Sequence, residues 1–192
     1  MLGVYPKSGR GKGFVLPLQM CMTHPVINIA KDRKESIINN TKSIFVVDEK
    51  SIPNVKIPFH EICTQNTVAL YNNIIKIEAF RQDVDPDLIR AIMYIETSHG
   101  WYDRFYPWRS TILPMNIHYQ YWKDLGFNKS QLQIPKINIH VGTLLIKRIQ
   151  DRLKDPKIYK IASVYNILGK ENVSEYGIQV ANIYKNKSWE KC

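Results

Sequence analysis

Apolar residues recur at helical spacing from about Gln65 onward, and this periodicity constrains the fold more than any other feature of the sequence. In TVALYNNIIKIEAFRQ, Val68, Tyr71, Ile75 and Ala79 fall on one face of a helix. Later stretches show similar spacing: KINIHVGTLLIKRIQDRL, PKIYKIASVYNILG and SEYGIQVANIYKN. The pattern predicts a mainly α domain over residues 65–192.

The first 64 residues have a different composition and little helical periodicity. Glycines and then prolines, which interrupt regular structure, are spread through this part of the chain: Gly3, Gly9, Gly11, Gly13, Pro17, Pro25, Pro53 and Pro58. The segment SIFVV, from Ser43 to Val47, is a short strand candidate. We therefore predict that residues 1–64 form an irregular N-terminal arm or small subdomain with little β structure.

The formal net charge of +10 favours anionic partners such as nucleic acid, an anionic membrane or a cell-wall polymer. The Lys and Arg residues are scattered along the chain, so a solvated basic surface explains the charge equally well. No nucleic-acid recognition motif is present, and we predict no nucleic-acid partner.

The sequence also predicts no metal site, no other cofactor and no transmembrane segment. Cys21, Cys63 and Cys192 lack the spacing of metal ligands, and so do the five histidines. A Cys21–Cys63 disulfide and free thiols are both compatible with the sequence. No apolar stretch approaches the length of a membrane span, and the N-terminal residues do not read as a secretory signal.

A strong helix start signal precedes the most apolar helix of the chain. Asp85 stands at the N-cap position, Pro86 at the first helical position and Asp87 in the first turn. The sequence AIMYIETSHGWYD then carries Glu96 close to Gly100, where we expect the helix to end.

Glu96 continues the apolar side of this helix, because residues three and four apart are neighbours. Desolvation in such a place raises the pKa of a carboxylic acid, as a general acid working near neutral pH requires. The alternative is a structural glutamate paired with Arg90, Arg104 or Arg109.

Aromatic residues are unusually dense after Glu96. They are Trp101, Tyr102, Phe105, Tyr106, Trp108, Tyr119, Tyr121 and Trp122. Aromatic faces stack on sugar rings, and their polar edges hydrogen-bond hydroxyl groups. The set predicts a sugar-binding surface, with Trp101 and Tyr102 nearest to Glu96 in sequence, or a second small core with the rings folded inward.

Five segments, in order, resemble the soluble lytic transglycosylases and goose-type lysozymes. VDPDLIRAIMYIETSHGWYD is similar to the motif in which a helix of that family ends in a catalytic Glu-Ser. ILPMN resembles the Gly-Leu-Met-Gln segment, and NIHVGTLLI the Asn-Ile helix. ASVYNILG resembles the Ala-x-x-Tyr-Asn-x-Gly motif, and EYGIQVANIY the closing helix. Together they span about residues 66–187.

This resemblance implies a lysozyme-like helical domain that cuts the glycan strands of peptidoglycan between N-acetylmuramic acid and N-acetylglucosamine. Glu96 would be the catalytic acid and base, with Thr97 standing where the family usually has Ser. The residues that would contact or line the substrate are Thr97, Met115, Asn116, Tyr165 and Asn166. Asn138 would help to orient the site. The chain departs from the family where Leu113-Pro114 replaces Gly-Leu and where Asn116 replaces Gln, which alters the details of the cleft.

The family resemblance and the shortage of acids favour a lytic transglycosylase. In that scheme, Glu96 protonates the glycosidic oxygen, the substrate's acetamido oxygen stabilises the cationic centre, and Glu96 then activates the muramic acid's primary hydroxyl. The alternative is a hydrolytic muramidase, in which Asp103 or Asp124 helps to hold a water molecule. Glycosidases of that kind generally use two carboxylates.

A non-catalytic peptidoglycan-binding module is the alternative of a different class. For the enzyme, the absence of a recognisable signal leads us to expect synthesis in the cytoplasm and action in the periplasm or cell wall, for example of a target cell. A phage lysis protein and an injected antibacterial effector both fit. An effector would need a cognate immunity protein, and the N-terminal arm would then dock with a secretion machine.

Overall fold

The computed structural model of the chain describes residues 34–35, 37–39, 44–49, 67–103, 111–123 and 126–191. For residues 99–103, 111 and 121 it describes the backbone alone. The helices are α1 (Thr67–Gln82), α2 (Pro86–Asp103), α3 (Tyr119–Trp122), α4 (Lys129–Leu132), α5 (Pro135–Gln150), α6 (Ile158–Asn166) and α7 (Glu175–Asn186). A 3-10 turn, Ser188–Glu190, follows α7. The prediction of a mainly α fold is confirmed.

Helix α2 lies at the centre of the fold. It packs against α1 on one side and α7 on another, while α6 packs closely on α7. Ile89, Ile92, Met93 and Ile95 are completely buried, as expected of a helix that is apolar on most sides. This burial fixes the position of the last turns of α2, which carry Glu96.

The start of α2 agrees with the sequence analysis, but its end does not. Asp85 Oδ1 accepts a hydrogen bond of 2.8 Å from the backbone N–H of Asp87, as the predicted N-cap requires. The helix then continues past Gly100 to Asp103. One glycine costs a helix only about 1 kcal/mol relative to alanine, so it does not by itself end one.

A short β-hairpin is the one sheet in the described part of the chain. Strand β1 (Thr111–Ile112) pairs antiparallel with β2 (Ile117–His118), with Ile112 opposite Ile117. Residues 113–116 form the connecting loop, in which Asn116 adopts a left-handed conformation with φ of 54°. Asparagine is one of the residues that tolerates this conformation well. The loop lies over α5, as described below.

The described part of the predicted N-terminal arm is built into the helical domain. Ile37 and Val47 are buried in the same apolar core as α2 and α5. The backbone N–H of Phe45 bonds to the carbonyl of Arg152 at 2.8 Å, and that of Val173 to the carbonyl of Asp48 at 3.1 Å. The boundary expected at residue 64 therefore does not separate residues 37–39 and 44–49 from the domain, because burial of apolar side chains such as Ile37 and Val47 holds them there.

A cluster of ion pairs joins Glu49, at the end of residues 44–49, to α6. The buried Lys160 ammonium lies 2.6 Å from Glu49 and 2.9 Å from Asp155. Lys157 also contacts both carboxylates. A buried ammonium needs such partners, since its desolvation is otherwise costly.

None of the helices in the described ranges has the length and apolar character required to cross a membrane.

Candidate active site around Glu96

Glu96 is partly buried in the last turns of α2, and Tyr176 from α7 contacts its carboxylate. The Tyr176 hydroxyl donates a hydrogen bond of 2.6 Å to Glu96 Oε1. The contact joins residues 80 positions apart in sequence. It fixes the orientation of the carboxylate through a neutral donor on a different helix.

A second tyrosine, Tyr165 at the end of α6, also lies close to Glu96. Burial raises the pKa of Tyr165 well above its ordinary value, and the nearby charge of Glu96 raises it further. Burial likewise raises the pKa of Tyr176, and the charge and hydrogen bond of Glu96 add to the effect. Both phenols therefore stay protonated at any physiological pH and can act as hydrogen-bond donors.

The Tyr165 hydroxyl connects the Glu96 region to the β-hairpin. It donates a hydrogen bond of 2.6 Å to the carbonyl oxygen of Met115 in the hairpin loop. Since Tyr165 is held at the end of α6, this bond fixes the distance between the loop and the end of that helix.

Asn138 on α5 holds the other side of the same loop. Its Oδ1 accepts a bond of 2.8 Å from the backbone N–H of Met115. Its Nδ2 donates to the carbonyls of Ile112 at 2.8 Å and Leu132 at 3.0 Å. Asn138 is completely buried, so a lost bond would leave a polar group unsatisfied in the core. The role that the resemblance implies for Asn138 stays a prediction.

Met115 has no exposed surface, so in this structure its side chain forms part of the core beneath the loop. The side chain lies directly over Gly142 of α5. A Cβ atom at position 142 would come within 2.7 Å of Met115 Cβ and 2.8 Å of its Cγ. Gly142 therefore permits the close approach of the hairpin loop to α5.

The hydroxyl groups next to Glu96 bond to their own helix. Thr97 Oγ1 donates to the carbonyl of Met93 at 2.8 Å, and Ser98 Oγ to that of Tyr94 at 2.6 Å. These bonds satisfy the hydroxyl protons locally. A contact between Thr97 and a substrate remains a prediction.

The remaining predicted site residues lie in different settings. Asn116 is partly buried at the end of the hairpin loop, and Asn166 is exposed as the last residue of α6. The backbones of Trp101, Tyr102 and Asp103 continue α2, but their side chains lie outside the part that the structure describes. Their predicted roles therefore stay predictions.

The alternative to a catalytic Glu96 is a structural ion pair with Arg90, Arg104 or Arg109. Of these three arginines, the structure describes Arg90 alone. Arg90 contacts the carboxylate of Asp87, and its Nη2 donates to Asn72 Oδ1 at 2.8 Å. Arg104 and Arg109 lie outside the described residues, as do Asp124 and all three cysteines.

Tyr176 and Gly177 are not among the predicted site residues, although both lie in the segment EYGIQVANIY. A Cβ atom at position 177 would come within 2.2 Å of Ser163 Oγ and 2.3 Å of the Tyr159 carbonyl oxygen. Gly177 thus lets α7 approach α6 closely and brings the adjacent Tyr176 towards Glu96. The sequence feature that could have identified them is a tyrosine next to a glycine in the first turn of a helix.

Among the described residues, no group of three or more His, Cys, Asp or Glu side chains has the arrangement of a metal site. The contacts instead connect one carboxylate, two protonated phenols and a backbone loop fixed by an asparagine. This arrangement can hold a carboxylic group in one position for proton transfer.

No protein-family model matches the chain, and comparisons with curated proteins and solved structures give no match either.

Proposed function

We propose that this protein cleaves the glycan strands of peptidoglycan between N-acetylmuramic acid and N-acetylglucosamine, as a lytic transglycosylase. The observation that carries the proposal is the carboxylate of Glu96, which Tyr176 holds at 2.6 Å about two turns before the end of α2. A chain of contacts joins residues from all five segments of the family resemblance. Tyr176 bonds to Glu96, Tyr165 feels the Glu96 charge and bonds to Met115, and Met115 bonds to Asn138.

In the proposed reaction, Glu96 first donates a proton to the glycosidic oxygen as the bond to the muramic acid breaks. The substrate's acetamido oxygen stabilises the positive charge that develops at the sugar. Glu96, now a carboxylate, removes the proton of the muramic acid's primary hydroxyl, which closes an anhydro ring. Proton transfer of this kind contributes about 10²–10⁴-fold to the rate.

The two tyrosines would act by position. Tyr176 keeps the Glu96 carboxylate in one orientation. Tyr165 keeps the hairpin loop at a fixed distance from the end of α6. Because burial and the Glu96 charge raise the pKa of both phenols, they do not compete with Glu96 for the proton near neutral pH.

The second candidate function is hydrolysis of the same glycosidic bond. The observation in its favour is that Asp103 lies on the same helix as Glu96. A retaining or inverting muramidase needs a second carboxylate to stabilise the cation or hold water. Asp103 is the nearest acid after Glu96 in the sequence.

The test is digestion of purified peptidoglycan by the wild type and the Glu96→Gln, Asp103→Asn and Glu190→Gln variants. Glu190 is exposed and remote in sequence from Glu96, so Glu190→Gln is the control for an acid-to-amide change. We expect Glu96→Gln to fold normally and lose about 10²–10⁴-fold of the activity, whereas the other two variants stay active.

Mass spectrometry of the products separates the two reactions. We expect anhydro-muropeptides, lighter by one water than hydrolysed products. Reducing ends alone, together with an inactive Asp103→Asn variant, would replace the transglycosylase with a muramidase. Retention of the wall polymer without any cleavage would leave a binding module. Action in the periplasm or wall of a target cell, with a cognate immunity protein in the producer, belongs to the same proposal.

A further inference from the structure

Helix α1 exposes large apolar side chains on the side that faces away from the core. Leu70 is 74% exposed, Ile77 49% and Phe80 89%. Val68, Ile75 and Ala79 on the opposite side are buried. The helix is therefore apolar both towards the core and towards the surroundings, and core packing does not explain Leu70, Ile77 and Phe80.

The charges of α1 are arranged in an equally unusual way. Its one acid, Glu78, is buried and held by His140 Nδ1 at 2.8 Å, Gln82 Nε2 at 3.0 Å and Arg81 Nη1 at 3.1 Å. Lys76 is exposed, and so is 60% of the Arg81 side chain. The exposed side of α1 thus carries basic residues and no acid.

Helical geometry places these basic residues at the edges of the apolar side chains. At about 100° per residue, Leu70, Ile77 and Phe80 fall within about 80° of one another. Lys76 lies just beyond one edge of this sector and Arg81 just beyond the other. We call Leu70, Asn73, Ile77 and Phe80 the outer face of α1. The next acid along the chain, Asp83, lies 3.3 Å from the Lys147 ammonium.

We propose that the outer face of α1 binds the surface of an anionic phospholipid bilayer. An apolar centre with basic edges is the pattern of helices that lie in a membrane interface, where Leu and Phe enter the acyl boundary and Lys and Arg meet the lipid phosphates. The net charge of +10 strengthens the attraction to an anionic surface. The inference is independent of the activity of Glu96.

Two other occupants fit the face less well. A second copy of the chain would bring Lys76 and Arg81 against like charges of its partner. A protein would need an acidic groove shaped to a convex helix, whereas a fluid lipid surface conforms to it without such a match.

The experiment measures sedimentation of the full-length protein with vesicles. One set contains equal parts of phosphatidylglycerol and phosphatidylcholine, and the other contains phosphatidylcholine alone. We expect binding to the anionic vesicles at least about tenfold stronger, and weaker binding as salt is added. Lys76→Gln and Arg81→Gln should each weaken binding about fivefold.

A matched pair of isoleucines tests the face itself. Ile77 is 49% exposed on the outer face, and Ile134 is 50% exposed at the start of α5. We expect Ile77→Ser to weaken binding several-fold and Phe80→Ser about tenfold, and Ile134→Ser to leave it unchanged. Since these side chains are exposed, circular dichroism should show all three variants folded.

Several results would overturn the proposal. They are equal binding to both kinds of vesicle, equal loss of binding in Ile77→Ser and Ile134→Ser, or a wild-type dimer that Phe80→Ser converts to a monomer. Loss of binding to lipid-free wall fragments in Phe80→Ser would show that the wall polymer covers the face. Vesicle binding by Glu96→Gln should equal that of the wild type, which separates this proposal from the proposed catalysis.

Discussion

At the scale of single residues, the Glu96 carboxylate accepts a hydrogen bond from a neutral phenol. Tyr176 bonds directly to Glu96, and Tyr165 lies close enough for the Glu96 charge to raise its pKa. A phenol holds a carboxylate in place without fixing a full positive charge beside it. In the proposed reaction Glu96 gains and loses a proton in each cycle, and a paired cation would strongly favour its charged form.

We predict that Tyr176→Phe lowers the rate of the proposed peptidoglycan cleavage by about 10–150-fold, since a hydrogen bond to a charged group contributes about 1.5–3 kcal/mol. The substitution removes the bond to Glu96 Oε1 and leaves the ring in place. The variant loses a donor that favours the carboxylate form, and Glu96 must be protonated to act first as an acid. The alkaline limb of the pH–rate profile should therefore move to higher pH.

Tyr184→Phe is the matched control. It lies on the same helix, and its hydroxyl donates to Asp85 Oδ2 at 2.5 Å, at the start of α2 and far from its end. That hydrogen bond, with burial, raises the pKa of Tyr184 to about 12. If Tyr184→Phe shifted the pH–rate profile as Tyr176→Phe does, Tyr176 would have no specific role.

At the scale of elements, two glycines set how closely the site's parts approach. Gly142 lets the hairpin loop lie on α5, and Gly177 lets α7 lie on α6. The two contacts differ in the atoms that lie against each glycine. Gly142 lies against side-chain atoms of Met115, whereas Gly177 also lies against the backbone oxygen of Tyr159, which has no side-chain rotation to relieve a clash.

Gly177→Ala should destabilise the protein by about 1–3 kcal/mol, because the added Cβ forces α6 and α7 apart. The measurement is denaturant unfolding, with Gly126→Ala as the control. At Gly126 a Cβ meets nothing within 4 Å, but φ is 84°, so only backbone strain is added. A loss for Gly177→Ala no larger than that for Gly126→Ala would contradict the close-packing account.

We also expect Gly177→Ala to lower activity more than its stability loss explains, because Tyr176 moves with the helix. Activity should therefore be measured at a temperature where circular dichroism shows the variant fully folded.

At the scale of the whole molecule, residues 37–39 and 44–49 contribute Ile37 and Val47 to the core. Phe45 and Asp48 bond to the chain after α5 and before α7, and Lys160 pairs with Glu49. A chain that begins at Gln65 would leave that part of the core open to water. We therefore expect such a truncation to be less stable than the full chain, contrary to a separable arm.

Adjacent valines allow a sharp test of this role. Val47 is 1% exposed and Val46 is 57% exposed. Val47→Ala should lower the free energy of unfolding by about 1–3 kcal/mol, whereas Val46→Ala should change it by less than about 0.5 kcal/mol. Equal effects in thermal or denaturant unfolding would show that the segment does not contribute to the core.

The sequence by itself determined the features that depend on neighbours along the chain. Helical periodicity identified a mainly α fold, and the Asp85-Pro86 signal placed the start of α2 correctly. These predictions succeeded because capping and the burial of one helix face act over three or four residues. The role of Glu96 was inferred in the same local way and awaits its test.

The tertiary structure alone decided which distant groups meet. The contact between Tyr176 and Glu96, the bonds of Asn138 to the hairpin and the burial of Val47 all join segments far apart in sequence. No local pattern shows them, because they depend on how closely the helices pack. That packing is set by side-chain volume on both sides of each contact, including the missing side chains of Gly142 and Gly177.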